Sequence, residues 1–241
     1  MEDEITKARK ARIKKVRKRR TAWFLTALCL VLAAVILANT ITTTTFKDIG
    51  DFFSALLVAS KSYPVEISEA HPRQVEQLSL SYAVLTEKEM KVFSDRGNEL
   101  QTYEHGFVSP LISASGNRIA LFNSGGKEIK IFNRTKEIAT VKTDYTIVSA
   151  EVSSYGTLAV LTTGDRYLSG LEIYGNGKYE RLMTWYGSKG FPLMVKMQNM
   201  GNKAAVATIS SVNGEIVSTV TAIDTAAAKE LFTCDVTGLA V

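Results

Sequence analysis

The residues able to carry out acid–base, metal or nucleophilic chemistry are few and widely separated in this sequence. His71 and His105 are the only two histidines, and neither belongs to a His-Glu-x-x-His or Cys-x-x-Cys…His pattern that would hold zinc. The candidate carboxylates Asp165, Glu172 and Asp224 stand at predicted strand ends, where acidic side chains usually cap turns or face water. The sequence therefore predicts no catalytic residue, no metal site and no cofactor.

Two further motifs also point away from chemistry. The segment Gly175-Asn176-Gly177 is flanked by strand-like residues, so it indicates a hairpin turn and not a phosphate-binding loop. Cys234 has no histidine or second cysteine near it, and its apolar neighbours predict a buried, unreactive thiol. Cys29 lies inside an apolar run, and we expect no disulfide between the two cysteines.

A concentration of aromatic residues between positions 167 and 191 is the candidate contact surface. Tyrosine and tryptophan supply much of the binding energy in protein interfaces. Packing of the same rings in the core is the alternative explanation. The four residues that we predict to form the interaction surface are Tyr167, Tyr179, Trp185 and Tyr186.

The positive charge of the chain is concentrated in its first 20 residues. They include ten Lys or Arg and three Asp or Glu, whereas the other 221 residues contain 19 bases and 21 acids. No aromatic residue that could stack on a nucleobase is interleaved with these bases, so we expect binding to anionic lipids at the cytoplasmic face of a membrane and not to nucleic acid. Binding of a cytoplasmic partner is the alternative. The residues expected to face lipid are Arg12, Lys14, Lys15, Arg17, Lys18, Arg19 and Arg20.

The stretch that follows this basic tail is long, apolar and uncharged. Residues 21–46 contain no charged side chain, and residues 22–38 are apolar except for Thr26. A helix of about 20 such residues spans the hydrocarbon core, and the bases before it favour a cytoplasmic N-terminus. We therefore predict a single-pass signal anchor over residues 21–41 in the cell membrane, with the rest of the chain extracytoplasmic; a cleaved signal peptide is the alternative. The predicted membrane residues are Trp23, Phe24, Leu25, Leu28, Leu30, Leu32, Val35, Ile36 and Leu37.

After the anchor, the period of the apolar residues changes from helical to strand-like. Within the linker of residues 42–61, Phe46, Ile49 and Phe53 recur at spacings typical of a short amphipathic helix. From residue 62 onward, short runs rich in Val, Ile, Tyr, Phe and Thr alternate with Gly, Asn, Asp and Ser. No helical pattern separates those runs, so the sequence predicts an all-β domain of antiparallel sheets.

A repeat of about 40 residues organises this all-β domain. Gly116, Gly156 and Gly201 each separate two apolar stretches, and they are 40 and 45 residues apart. A period of about 40–45 residues with about four short strands is typical of the blades of a β-propeller. The predicted blades occupy residues 75–107, 108–146, 147–191 and 192–235, and the first of them lacks the glycine.

The last residues of the sequence read as the first strand of a further blade. Residues 236–241 are largely apolar, and a propeller normally closes its ring so that no long sheet edge stays open. We therefore expect residues 62–241 to be a partial propeller, truncated at the C-terminus, whose open blade edges would allow self-association. A curved array of sheets that completes itself by association is the alternative.

The basic tail, the apolar run and the segment Tyr63-Pro64-Val65, followed by these repeats, resemble an uncharacterised bacterial family of single-pass membrane proteins. Its blades are similar to WD repeats and to quinoprotein repeats. The most similar segments are residues 105–110, the Ser115-Gly116 turn and Asp165-Arg166-Tyr167. The resemblance implies a propeller ectodomain at the cell surface and implies no activity. The sequence departs from true WD repeats because the Gly-His and Trp-Asp pairs are missing.

Three classes of function are compatible with this organisation. We predict a membrane-anchored, extracytoplasmic binding or scaffold module without catalytic activity, whose partner is an envelope protein or a glycan. The first alternative is a signalling anchor that couples ligand binding to a cytoplasmic partner through the basic tail. The second is a quinoprotein-like enzyme with its site in the central channel.

Overall fold

The chain divides into two compact units, Met1–Phe46 and Lys47–Val241. The computed structural model describes residues 23–26, 28–31 and 71–239. Both described stretches of the first unit are helical, and their apolar side chains are exposed. Within the described residues, no helix has the length and apolar character that crossing a membrane takes. The predicted basic tail, the anchor residues Leu32, Val35, Ile36 and Leu37, and the predicted amphipathic helix lie outside the described residues.

Residues 71–239 of the second unit form sixteen strands in four sheets. The first sheet contains β1 (Gln74–Leu78), β2 (Ser81–Leu85), β3 (Glu89–Ser94) and β4 (Glu99–Glu104). The second contains β5 (Pro110–Ser115), β6 (Arg118–Asn123), β7 (Glu128–Phe132) and β8 (Glu137–Lys142). The third contains β9 (Ile147–Val152), β10 (Leu158–Thr162), β11 (Ser169–Tyr174) and β12 (Arg181–Gly187). The fourth contains β13 (Phe191–Met197), β14 (Lys203–Val212), β15 (Glu215–Asp224) and β16 (Lys229–Thr237).

Every sheet is an antiparallel meander in which the strands lie in chain order. We call the sheets blades 1 to 4. The prediction of four four-stranded antiparallel blades is confirmed, and the predicted blade limits enclose the observed sheets to within two residues. The second and third strands of blades 2 and 3 are almost wholly buried: all five residues of β10 and all six of β11 are shielded from solvent. The first and fourth strands contain a mixture of buried, half-buried and exposed residues.

Hydrophobic clusters join each blade to the next. Between blades 1 and 2, Leu85 and Met90 pack with Ile119 and Phe132, whose ring lies 4.8 Å from that of Tyr103. A second cluster joins blades 2 and 3, and a third joins blades 3 and 4. Because each sheet is buried on the face that meets its neighbour, the fold is a stack of blades and not a pair of sandwiched sheets.

Polar side chains on the first strands add hydrogen bonds between neighbouring blades. In each case a side-chain oxygen on the first strand of one blade accepts a hydrogen bond from a backbone N–H on the first strand of the next blade. The three pairs are Gln74 with Ile112 (3.0 Å), Ser113 with Val152 (3.2 Å) and Ser149 with Val195 (3.4 Å). These bonds satisfy backbone groups that have no strand partner on that side.

The repeated glycines lie in the turns between the first and second strands. Gly116, Gly156 and Gly201 have φ values of +59°, +85° and +75°, which side chains rarely adopt. In blade 1 the equivalent turn contains Leu80 at φ 57°, which explains why that blade lacks the glycine signature. These turns contact one another, since Ser79 N–H donates to Gly116 O at 2.7 Å.

Blade 4 differs from the others in length and exposure. Strands β14 and β15 have ten residues each, and all nine residues of β16 are exposed. The sequence predicted a buried Cys234, but this residue is exposed. The reason is its position on β16, which is the outermost strand of its sheet and is hydrogen-bonded only to β15.

Candidate functional site

The antiparallel order of the strands places two kinds of loop at the same end of each blade. The connection from the second to the third strand and the connection to the next blade both lie opposite the repeated glycine turns. In blade 3 these two loops are residues 163–168 and 188–190. Tyr167 lies in the first of these loops, and Trp185 and Tyr186 lie at the end of β12 that leads into the second.

Two of these residues form a stacked, solvent-exposed pair. The ring centroids of Tyr167 and Tyr186 are 4.5 Å apart with an interplanar angle of 23°. The side chains are 46% and 50% exposed. Tyr186 lies opposite Gly170 on the neighbouring strand, and a Cβ at Gly170 would be 3.9 Å from the Tyr186 ring. That distance is an ordinary van der Waals contact, so the ring packs over the backbone at Gly170. We call Tyr167 and Tyr186 the ring pair.

The third residue, Trp185, occupies the other face of the same strand, because successive side chains of a strand point to opposite faces. Its ring packs against the cluster between blades 3 and 4. A Cβ at Gly187 would lie 2.6 Å from Trp185 Cη2, so this glycine makes space for the indole. Trp185 Nε1–H donates to Glu230 Oε1 at 2.6 Å and thereby joins blade 3 to β16.

A cleft opens beside this indole, between the outer halves of blades 3 and 4, with a volume of about 210 Å³. Hydroxyl groups dominate its blade 4 wall. Thr219 Oγ1 donates to Asp235 Oδ1 at 2.7 Å, and the hydroxyls of Thr221 and Thr233 are 3.4 Å apart. The side chains that line the cleft include Trp185, Lys189, Thr208, Thr219, Thr221, Glu230 and Thr233.

The fourth predicted residue, Tyr179, does not belong to this surface. It is 6% exposed and packs in the cluster between blades 2 and 3. Its φ of 55° places it in the turn between β11 and β12, at the end of the blade away from the ring pair. Tyr179 therefore packs in the core, which was the alternative to a place on the interaction surface.

The titratable residues singled out in the sequence are dispersed. Asp165 lies in an exposed loop, and Asp224 Oδ1 accepts the backbone N–H groups of Ala226 and Ala227. His105 is buried, which lowers the pKa of its imidazole, and its Nε2 lies 3.2 Å from Thr86 O. Within the described residues, no group of three or more His, Cys, Asp or Glu could hold a metal ion.

Glu172 is the exception, because its carboxylate is buried in a network of polar groups. It is 3% exposed, and Tyr174 O–H donates to its Oε2 at 2.5 Å. Arg181 Nη1 lies 3.3 Å from Glu172 Oε1 and 3.5 Å from Asp144 Oδ2. The carboxylate of Glu172 raises the pKa of the Arg181 guanidinium. The network ties β11 and β12 to the loop that precedes blade 3.

Burial and the hydrogen bond to Glu172 raise the pKa of the Tyr174 hydroxyl above its usual 10.0. We expect the free energy of unfolding to fall as the pH rises above about 10, because the unfolded chain then releases this proton while the folded chain retains it. Tyr174→Phe should flatten this fall. The measurement is chemical unfolding of both proteins between about pH 9 and pH 11. Equal slopes in the two proteins would contradict the prediction.

The sequence did not predict the residues that complete the cleft. Glu230 meets Trp185 across 45 positions of the chain, and no local spacing connects them. The alternation of Thr219 and Thr221 was visible, but threonine is frequent in strands and carries no specific signal for a binding site.

The comparisons agree with this architecture. A family model described as a family of unknown function (DUF5711) matches residues 58–230. None of the curated proteins matches the chain. The β-propeller domain of Cps50 (Swd1) from Myceliophteria thermophila is similar at a TM-score of 0.55 and 10% identity, covering 70% of this chain and 57% of that one.

Hydrazine synthase from Kuenenia stuttgartiensis is similar at a TM-score of 0.54 and 16% identity, covering 75% of this chain and 53% of the synthase chain. The chain thus spans about half the length of these two solved chains. At such identities the likeness shows the fold alone, and that fold is propeller-like.

Proposed function

This chain belongs to the DUF5711 family of unknown function, and from its surface we propose that it is a membrane-anchored, extracytoplasmic propeller that binds an envelope component without catalysing a reaction. The ring pair is the observation that carries the proposal. Tyr167 and Tyr186 expose two stacked rings at the loop end of blade 3. Loops at one end of a rigid scaffold are where binding residues concentrate.

The geometry of the ring pair indicates that the two tyrosines form a binding surface and are not exposed by chance. A tyrosine has only two side-chain torsions to fix, so it supplies a large contact area at a low cost in conformational entropy. The stacking of the two rings at 4.5 Å restrains each of them before a partner arrives. Such preorganisation lowers the entropic cost of association.

Support for the membrane anchor comes from the sequence. The apolar run of residues 22–38 is long enough to span a bilayer, and the basic tail before it follows the positive-inside rule. A periplasmic-type enzyme reporter fused after Val241 is therefore expected to be active only outside the cytoplasm. Activity of a cytoplasmic reporter at the same position would exclude the proposed topology.

The binding proposal is tested with the full chain in lipid nanodiscs and with isolated bacterial envelopes. We expect the chain to sediment with the envelopes, and the double variant Tyr167→Ala/Tyr186→Ala to bind at least about tenfold more weakly, because truncating a hot spot costs roughly 2 kcal/mol. Digesting the envelopes with a protease or with a glycan hydrolase then distinguishes a protein partner from a glycan.

Tyr155→Ala is the matched control for this experiment. Tyr155 is 64% exposed in blade 3, but it lies in the glycine turn at the opposite end from the ring pair. The Tyr155→Ala protein should sediment with the envelopes to the same extent as the unmodified chain. Failure of the unmodified chain to sediment, or equal sedimentation of the double variant, would refute the proposed function.

A further inference from the structure

We propose that the cleft between blades 3 and 4 binds one saccharide ring of an envelope glycan, an inference that rests on the proposed binding function. The cleft lies beside the ring pair, at the outer edge of blades 3 and 4. Here the apolar cluster between the two blades gives way to threonine hydroxyl groups toward the outer strands.

The size of the cleft limits what it can hold. Its volume of about 210 Å³ is below the range in which pockets for drug-sized ligands begin, at about 300 Å³. A single ring with its substituents is therefore the unit that it can accommodate. The rest of an extended chain would have to leave the cleft through its open side, past the exposed residues Ser188 and Lys189.

The hydroxyl wall selects for a ligand that is itself rich in hydroxyl groups. Thr208, Thr219 and Thr221 line this wall. The hydroxyls of Thr208 and Thr219 donate to Thr219 O and Asp235 Oδ1, and that of Thr221 lies 3.4 Å from the Thr233 hydroxyl, so each oxygen keeps a lone pair that can accept a further hydrogen bond. A hydroxyl group can both donate and accept, so it matches another hydroxyl in either direction. An apolar ligand would remove water from these oxygens without replacing its hydrogen bonds, which is unfavourable.

The indole and the carboxylate supply the remaining contacts that a sugar needs. The Trp185 ring offers an aromatic surface to the C–H groups of a pyranose, since the face of the ring is electron-rich. Glu230 Oε1 fixes this ring through Nε1. Among the described residues, Glu230 Oε2 accepts no hydrogen bond, and it can accept one from a sugar hydroxyl. A charge-assisted bond of this kind is stronger than one between neutral groups.

The charges around the cleft disfavour an anionic ligand. Glu230 and Asp235 are acidic, and Lys189 is the base among the lining residues. No cluster of Arg or Lys that would neutralise a phosphate or a string of carboxylates lines the described cleft. These features favour a neutral saccharide over a phosphorylated or strongly acidic polymer.

The test uses the full chain in nanodiscs with Trp23→Phe, which leaves Trp185 as the single tryptophan of the two in the sequence. The saccharide probes are the tetrasaccharide of N-acetylglucosamine, cellotetraose and maltotetraose. Tetraalanine is the peptide probe. We expect at least one tetrasaccharide, and not the peptide, to change the tryptophan fluorescence with a dissociation constant below about 1 mM.

Two variants assign the response to the cleft. Glu230→Gln and Thr221→Val should each weaken binding by about three- to tenfold while keeping the shape of the side chain. The first replaces a charged acceptor by a neutral amide and the second removes a hydroxyl group, and each change costs about 0.5–1.5 kcal/mol. Glu137→Gln and Thr140→Val are the matched controls. These residues form a similar pair on the exposed outer strand of blade 2, with Thr140 Oγ1 2.7 Å from Glu137 Oε1, and their variants should bind like the parent.

The outcomes separate this inference from the proposed function. No response to any of the tetrasaccharides, a response to tetraalanine alone, or a response unaffected by Glu230→Gln would overturn the saccharide site. If the chain still sedimented with envelopes in that case, the proposed binding function would stand, and the digestion experiment would identify the class of its partner. If the chain neither sedimented with envelopes nor showed the fluorescence response, both the proposed binding function and the saccharide site would be refuted.

Discussion

Gly201→Ala is expected to lower the free energy of unfolding by about 3 kcal/mol. The residue is buried with φ +75°, and a Cβ there would lie 2.6 Å from Thr157 Oγ1 and 2.9 Å from Ser153 Oγ. A side chain in this backbone conformation costs about 1–2 kcal/mol, and overpacking adds about 1–3 kcal/mol. Both obstructing residues belong to the turn of blade 3, so the substitution would push two blades apart. Chemical unfolding of the full chain measures the loss.

Gly125→Ala separates the two parts of this effect. Gly125 also has a positive φ, +84°, but a Cβ there would have no atom within 4 Å. We expect a loss of only about 1 kcal/mol, which is the backbone cost alone. A Gly201→Ala protein as stable as the Gly125→Ala protein would show that the glycine turn contacts do not hold blades 3 and 4 together.

Arg181→Leu is expected to lower the free energy of unfolding by about 2–3 kcal/mol. Removing one partner of a fully buried ion pair costs about 3–5 kcal/mol, because the other charge stays buried without its counterion. Here the Glu172 side chain is 3% exposed but that of Arg181 is 48% exposed, so water screens part of the interaction and the expected loss is smaller. The same unfolding experiment measures it.

A second substitution shows whether the buried charge is the cause. Adding Glu172→Gln to Arg181→Leu should restore part of the stability, since the neutral amide needs no counterion. Lys196→Leu is the control, because Lys196 and Glu151 form an ion pair of 3.2 Å that joins blades 3 and 4 with the lysine 68% exposed. Lys196→Leu should lower the free energy of unfolding by less than about 1 kcal/mol. A double variant less stable than Arg181→Leu would exclude the charge explanation.

The strands that stood out most clearly in the sequence are the second and third of each blade. They carry runs such as Ile119–Phe122 and Leu158–Leu161, whose residues are buried on both faces of the sheet. The first and fourth strands carry more polar residues, because they are the edge strands of each sheet and are more exposed. Their existence followed from the repeat length, but their limits came only from the structure.

The features that depend on local chemistry could be predicted from the order of the amino acids alone. The alternation of apolar residues specified strands, and Gly116, Gly156 and Gly201 specified the turns, since their backbone conformation excludes most side chains. Repetition of these local units then specified the number of blades among residues 71–239. The membrane anchor and the basic tail stay predictions from the sequence.

Which face of each strand meets a neighbouring blade could be seen only once the blades were packed together. In the packed structure Tyr179 is buried, Cys234 is exposed, and Trp185 and Tyr186 lie on opposite sides of β12. Glu230 contacts the indole although it is 45 residues away in the chain. The alternation of a strand defines two faces but does not say what packs on either, because packing depends on surfaces far apart in the chain. The cleft is a product of that long-range packing.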